Sequence, residues 1–485
     1  MYSKLPVRKI APIHAISVSS CRFLHQMSLE NLERHNPQEY QPIVSMERED
    51  QKKYQRQFYY DTIKALPTVE QKLYEISQFH RPKQLRYLIP ALAKSYNGIF
   101  FQRYITRTHL INHLPENFSL MDVDKEYTEV SDVFKQTVSS FYKNDWKSSD
   151  LNYQDYLCNK RDCSKLLNLL ILQCFKKLAL KNDYILESTI QQNPRINSYW
   201  FHNGFHSEKN KIYQENLTFQ FRDTPAFTIR IKKPLNAILK LEDPLCATAE
   251  VPDYNFHPKA LGFAADRKWI TSVPGHWFDD PCDSPFLLVK TTDDFHKLLS
   301  KLQFHDLEKI KESTAITSSF GWLNAAATYH GFTPYHDLTY PFVCHTIITN
   351  GQDWNFFVYQ LNTIAFHIDV DKKDRRNICW SSGTIRLFDT IENGEIKGLN
   401  DEVFKILLKF LMNAPVSDEN IKLKPYLGED NRTEEEIDNM RYIYRNMYSH
   451  RPHPNAHKHE VPTWHRIYLP KYNKLAKPLP FTKLY

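Results

Sequence analysis

The stretch PFVCHTIITNGQDWNFFVYQLNTIAFHIDVDKKDRRNICW, residues 341–380, decides the fold. His345 to Thr349 reads as a strand of Ile and Thr types, and Asn350-Gly351 supplies a turn start at which positive φ costs little. The return strand, Trp354 to Phe366, is apolar on both faces. Phe357, Tyr359 and Leu361 face one way, and Phe356, Val358, Ile364 and Phe366 the other. Such a strand sits mid-sheet, covered on both sides. Only Gln360 and Asn362 interrupt the second face. Buried amides need partners, so both are expected to be satisfied core residues in preference to ligands. Asp369 to Arg376 reads as a charged, exposed loop before a returning strand, Asn377 to Trp380.

Upstream of the hairpin, a helix is predicted from Ser318 to Tyr329, with Gly331 as its stop and Ala325 to Ala327 allowing close approach to a sheet. Thr292 is expected to cap another helix through Leu302. LTFQFRDTPAFTIRI, residues 217–231, alternates at period two, and strand character is expected from Tyr199 to Ile231. Leu245 to Asp283, rich in Pro, His and Trp, reads as an irregular surface excursion. Lys165 to Leu180 is a compact apolar helix, while Met46 to Ala65 and Thr68 to Phe79 read as two more, the latter opened by a capping box. Downstream, Asn400 caps the last body helix, whose positive end carries Asp401 and Glu402. Val403, Ile406, Leu407, Phe410 and Leu411 form one apolar stripe that Pro415 ends. Thr433 and Glu436 open a further short helix.

These elements make an α+β protein with an N-terminal helical region, a mixed α/β body whose central sheet contains the hairpin, and an extended basic-aromatic C-terminal tail. The expected divisions are a transit peptide and linker at 1–35, a mainly helical region at 36–190 and the mixed body at 191–415. A charged linker with a short helix follows at 416–448, then the tail at 449–485. A chain of 485 residues can bury two or three cores, and 41% hydrophobic with 14% aromatic content argues for folded structure.

Several function classes are disfavoured by the same text. The eleven glycines form no G-x-G, no P-loop and no G-x-S-x-G, which removes the usual phosphate cradles and the nucleophile elbow. Eight scattered cysteines without C-x-x-C fit a reducing compartment. No apolar run approaches the ~20 residues a membrane-crossing helix needs. The first 29 residues hold Lys4, Arg8, Lys9, Arg22 and five serines but no acid, the composition of a mitochondrial transit peptide, with a basic arm as the alternative.

Charge is divided unevenly. Residues 30–440 carry a net −5, whereas residues 441–485 hold nine basic groups against the single acid Glu460. The basic groups are Arg441, Arg445, Arg451, Lys458, Arg466, Lys471, Lys474, Lys477 and Lys483, interleaved with aromatics that include Trp464, Tyr468 and Tyr472. Cations neutralise phosphates and aromatic faces stack on unpaired bases, so these twelve residues are the candidate RNA-binding set. The same composition also suits a tail packed on protein. Two clusters suggest metal chemistry: His367-x-Asp369 with Asp371 and Asp374, and His450, His453, His457, His459 and His465 with Glu460. The first lacks a distal ligand in a defined framework. In the second, Pro452 and Pro454 preclude a regular helical ligand face. No metal, cofactor or catalytic residue is therefore expected.

A family resemblance sharpens the reading. Phe342-Val343, Ile348-Thr349, Gly351, Tyr359-Gln360-Leu361-Asn362-Thr363 and Asn377-Ile378-Cys379-Trp380 resemble the signature of a mitochondrial ribosomal protein family. It is the family historically numbered thirty of the small subunit, also called programmed cell death protein 9. The likeness continues through Thr390-Ile391-Glu392, Lys397-Gly398 and Phe410-Leu411, with fainter echoes at Tyr40 to Ser45 and Val69 to Leu73. It spans roughly residues 39–415 and leaves the tail uncovered. The resemblance implies a non-enzymatic constituent of the mitochondrial large subunit, in the matrix, whose partners are large-subunit rRNA and related or neighbouring large-subunit proteins. The competing functions are a mitochondrial metal-dependent enzyme acting on RNA and a soluble interaction protein in apoptosis.

Overall fold

The computed structural model describes residues 61–62, 65–67, 84–92, 98–147, 163–206, 214–254, 256–268, 271–276, 280–291, 307–332, 334, 338–368, 371–372, 374–392, 395–416 and 423. Residues 66–485 form one unit and residues 1–65 another, and every strand of the sheets belongs to the former. The expected helices at 46–65, 68–79, 292–302 and 433–447 fall wholly or almost wholly outside the described residues, as does the tail.

The hairpin forms as the sequence predicts. A strand at Phe342–Thr349 pairs antiparallel with one at Asp353–Leu361, Thr349 opposite Trp354. At the turn the Asn350 carboxamide oxygen accepts from the N–H groups of Gln352 and Asp353 at 2.9 and 2.6 Å, and Gly351 takes φ +94°. A Cβ on Gly351 would also crowd the Tyr142 hydroxyl, so glycine is required there twice over.

Around this hairpin two large sheets assemble. In chain order the elements are β1 (Gln84–Pro90), α1 (Gly98–Ile105), β2 (Thr108–Ile111), α2 (Glu116–Leu120), α3 (Asp124–Lys147), α4 (Cys163–Leu178) and α5 (Asp183–Leu186). Then come β3 (Thr189–Gln192), β4 (Ile196–His206), β5 (Gln214–Asp223), β6 (Phe227–Ile231), α6 (Pro244–Thr248), β7 (Ala265–Lys268), β8 (Val273–Pro274) and β9 (Ser284–Thr291). The last are α7 (Leu307–Tyr329), β10 and β11 (the hairpin), β12 (Asn377–Arg386), β13 (Thr390–Glu392), β14 (Glu395–Lys397) and α8 (Asp401–Met412). The seven-stranded sheet runs β2-β12-β11-β10-β9-β6-β3 and the five-stranded sheet β7-β1-β5-β4-β8. The fold is α+β, and β11 lies mid-sheet.

Helix α7 lies between the two sheets. It is buried from Ser313 to Tyr329 on every side, which explains why its apolar residues make no single stripe. Polar residues tie it to both neighbours. The Asn324 amide donates to Ser198 Oγ and to the Tyr199 carbonyl of β4, both at 2.8 Å, and Ser319 and Thr346 of β10 share a 2.7 Å hydroxyl bond. Gly321 marks the closest approach: a Cβ there would collide with the Phe221 ring. The far face of the seven-stranded sheet is covered by α3, α4 and α8, whose Phe134, Leu170 and Phe410 share a core with Trp354, Phe356 and Val358.

Three expectations need correction. The return strand stops at Leu361, so Ile364 and Phe366 turn into the core on the α7 side with Phe357 and Tyr359, not opposite them. Helix α7 begins at Leu307, eleven residues before the expected start, because its first half, LEKIKESTAIT, mixes charged, polar and apolar residues without a single stripe. The 245–283 excursion contributes β7 and β8, the edges of the five-stranded sheet. Within residues 36–190, β1 and β2 enter the two sheets beside β5 and β12.

Candidate functional site

The residues that spell out the family resemblance converge at one end of β11. The Gln360 carboxamide oxygen accepts from the N–H groups of Ile238 and Leu239 at 2.8 and 3.1 Å, and its nitrogen donates to the Leu239 carbonyl and to Asn362 Oδ1. Asn362 in turn donates to the Arg376 carbonyl at 2.7 Å. Asn377 Oδ1 accepts from the N–H groups of Asn362 and Thr363, while its nitrogen donates to the Thr106 and Thr363 carbonyls. All three amides are buried and satisfied. They clamp the 238–239 loop, the end of β11, the start of β12 and the residues preceding β2 into one knot. The polar atoms of these three amides are all engaged in holding the backbone or one another.

Beside the knot, Asp371 corrects the picture of an exposed loop. Its carboxylate accepts both forks of the Arg107 guanidinium, at 2.8 and 2.6 Å, and its side chain is fully buried. Arg107 takes φ +48°, and its guanidinium stands 4.8 Å from the Phe366 ring centroid. His202 lies against Tyr104 and Phe366. Burial, aided by the Arg107 charge, pulls the His202 pKa down to about 3, and burial raises that of Tyr104 to about 12. Neither group exchanges protons near neutral pH. The 264-residue separation between Arg107 and Asp371 hides the pair from sequence reading.

Four buried thiols and a second histidine are likewise held in their neutral forms by burial. Burial raises the thiols of Cys174, Cys344 and Cys379, and that of Cys246 to about 11. Burial holds His345 near 3. Among the described residues no group of His, Cys, Asp and Glu is arranged to hold a metal ion, and no helix is long and apolar enough to cross a membrane. Asp369, the tail histidines and all twelve candidate RNA-binding residues from Arg441 to Lys483 lie outside the described residues.

The sequence matches a protein-family model over residues 9–415, described as "Mitochondrial 28S ribosomal protein S30 (PDCD9)". The match begins thirty residues before the span of the resemblance and ends at the same residue, short of the tail. Its description names the small subunit, not the large one that the resemblance implies.

Proposed function

This chain belongs to the mitochondrial 28S ribosomal protein S30 (PDCD9) family, and from that premise we propose that it is a non-catalytic constituent of the mitochondrial large ribosomal subunit, holding rRNA and neighbouring proteins in the matrix. The observation that carries the ribosomal reading is the family match across most of the chain. The large-subunit assignment draws on the YQLNT and NICW resemblance, against the subunit in the family's description. The knot around Gln360, Asn362 and Asn377 agrees with a structural role, because the most recognisable residues are spent on shape. In this reading residues 1–35 carry the targeting segment, and the basic-aromatic arm at 449–485 follows a linker. That arm and its approach, from Arg441 to Lys483, contact RNA through phosphate neutralisation and base stacking.

Sedimentation of mitochondrial lysate on a density gradient, with immunodetection of the chain, tests the proposal. The expected result is co-migration with the large subunit, and release only when that subunit is dismantled. A peak with the small subunit would return the chain to the particle its family is named for. Protein found only at the top of the gradient, with both subunits intact below, would overturn the ribosomal role.

A further inference from the structure

The five-stranded sheet carries a notch where its edge strand gives out. Strand β7 covers β1 only as far as Tyr87, and the last bond to that side runs from the Leu88 N–H to the Ala264 carbonyl at 2.8 Å. Beyond it, Leu88 to Pro90, the start of α1 at Gly98, the segment Leu261 to Ala264 and Arg222 of β5 enclose a cavity of about 400 Å³. That volume falls within the ~300–1,000 Å³ of small-ligand sites.

Three observations give this cavity a chemical preference. At its wall, Gln102 is only 1% exposed, and its carboxamide oxygen is taken by the Ser313 hydroxyl. That bond engages the amide oxygen, and the amide nitrogen donates to no described residue. At its rim, Arg222 is exposed and forms no ion pair among the described residues; Arg86 and Arg195 add to its positive field, with Asp266 opposing. Along its flank, the rings of Phe256, Tyr254, Phe101 and Phe263 follow one another at centroid distances of 5.6, 5.4 and 4.9 Å. The row connects Phe256, 64% exposed, through the fully buried Phe101 to Phe263 in the cavity wall.

A partly apolar cavity with a side-chain amide and an aromatic ring in its wall and an arginine at its rim combines the groups that hold an unstacked nucleotide. We propose that this cavity captures one unpaired nucleotide of RNA, its base lying against Leu88 and Phe263 within reach of the Gln102 amide and its phosphate on Arg222. The proposal rests on the ribosomal reading above and adds a contact by the folded body, separate from the tail. Free nucleotides share this chemistry, so the source must be distinguished.

The full chain is photo-cross-linked to a single-stranded oligonucleotide containing 4-thiouridine, and adducts are mapped by mass spectrometry. Adducts are expected within residues 254–264 and 85–90. Arg222→Glu and Gln102→Met should each lower them at least five-fold, and Arg222→Lys should restore most of the first loss. Adducts in 441–485 serve as an internal reference and should be unchanged. Uridine 5′-monophosphate should compete only weakly, and inorganic phosphate not at all. Adducts confined to other segments, or indifferent to both loss variants while the proteins melt normally, would overturn the proposal. So would competition by the monophosphate equal to that of the oligonucleotide, which would mark a free-nucleotide site, or equal competition by phosphate, which would mark an adventitious anion only. Gradient sedimentation of the same variants is independent: loss of the cross-link with retained sedimentation sinks this site alone, whereas wild-type protein absent from ribosomes sinks the ribosomal reading.

Discussion

The imidazole of His345 lies against the ring of Phe410, centroids 4.6 Å apart and planes 23° from parallel, so that β10 and α8 meet through two stacked rings. The His345 Nε2 is paired with the Asn413 amide at 3.1 Å, just past the end of α8, while Phe118 and Phe286 approach the imidazole edge-on. Phe410 is fully buried here.

Phe410→Ala therefore opens a cavity in the core beneath the seven-stranded sheet. A loss of about 3–5 kcal/mol in unfolding free energy is expected, read by thermal or denaturant melting, with poor incorporation into ribosomes as the cellular consequence. An unchanged melt would show that the α8 stripe is not core.

Breaking the Arg107–Asp371 pair should cost a similar amount for a different reason. Arg107→Met or Asp371→Asn alone leaves one buried charge without its partner, an effect of about 3–5 kcal/mol. The double substitution should recover part of it, and a double-mutant cycle measures the coupling. Additive single effects would show that the two side chains do not interact.

Stability should fall on mild acidification. His202 and His345 titrate near 3 in the folded chain, well below the unfolded imidazole near 6.5. The unfolded state thus binds protons first: stability is intact above about pH 6.5 and is lost as pH drops from there toward 3. Each histidine contributes at most about 1.4 kcal/mol per pH unit in that window. Denaturant melts between pH 7.5 and 5 should show the decline, and His345→Phe should flatten it. A decline of equal slope in that variant would assign the effect to other groups.

Helix α7 tolerates no added volume at its closest approach to the five-stranded sheet. Gly321→Ala should destabilise by about 1–3 kcal/mol through collision with Phe221, although alanine favours helix. A stabilised variant would mean that the Phe221 ring moves aside freely.

The tail is tested by salt. Truncation after Tyr448 should leave the body's melt unaltered and reduce the slope of log affinity against log salt for large-subunit RNA by several units, as counterion release is lost. Trp464→Ala should cost about 1–3 kcal/mol of binding with little change in slope. Equal slopes for full-length and truncated protein would place the tail on protein.

How much of the fold is legible in the sequence depends on the range of the interaction. The hairpin turn, the Asn400 cap and the α8 stripe depend on neighbours within a few residues, and each appears as expected, with Asn400 Oδ1 accepting from the Glu402 N–H at 3.0 Å. Gln360 and Asn362 are legible as core amides because a polar residue in a strand apolar on both faces must find partners. Arg107, Asp371 and Gln102 are not, since their side-chain partners lie far away in sequence. The first half of α7 escapes sequence reading because it is exposed only at Glu308 and Lys309 and enclosed from Ser313, so no continuous polar face sets its period.

The pairing of β2 with β12 has a temporal consequence. Thr108 to Ile111 must wait for Asn377 to Trp380 before the edge of the seven-stranded sheet closes. A chain threaded into its compartment from the amino end would deliver β2 long before its partner, and β1 likewise ahead of β5. During that interval two strands stand with open backbone edges, and loop closure over hundreds of residues makes the final step slow. On such a route β1 and β2 depend on partners that arrive later, so their open edges are where misassembly would begin.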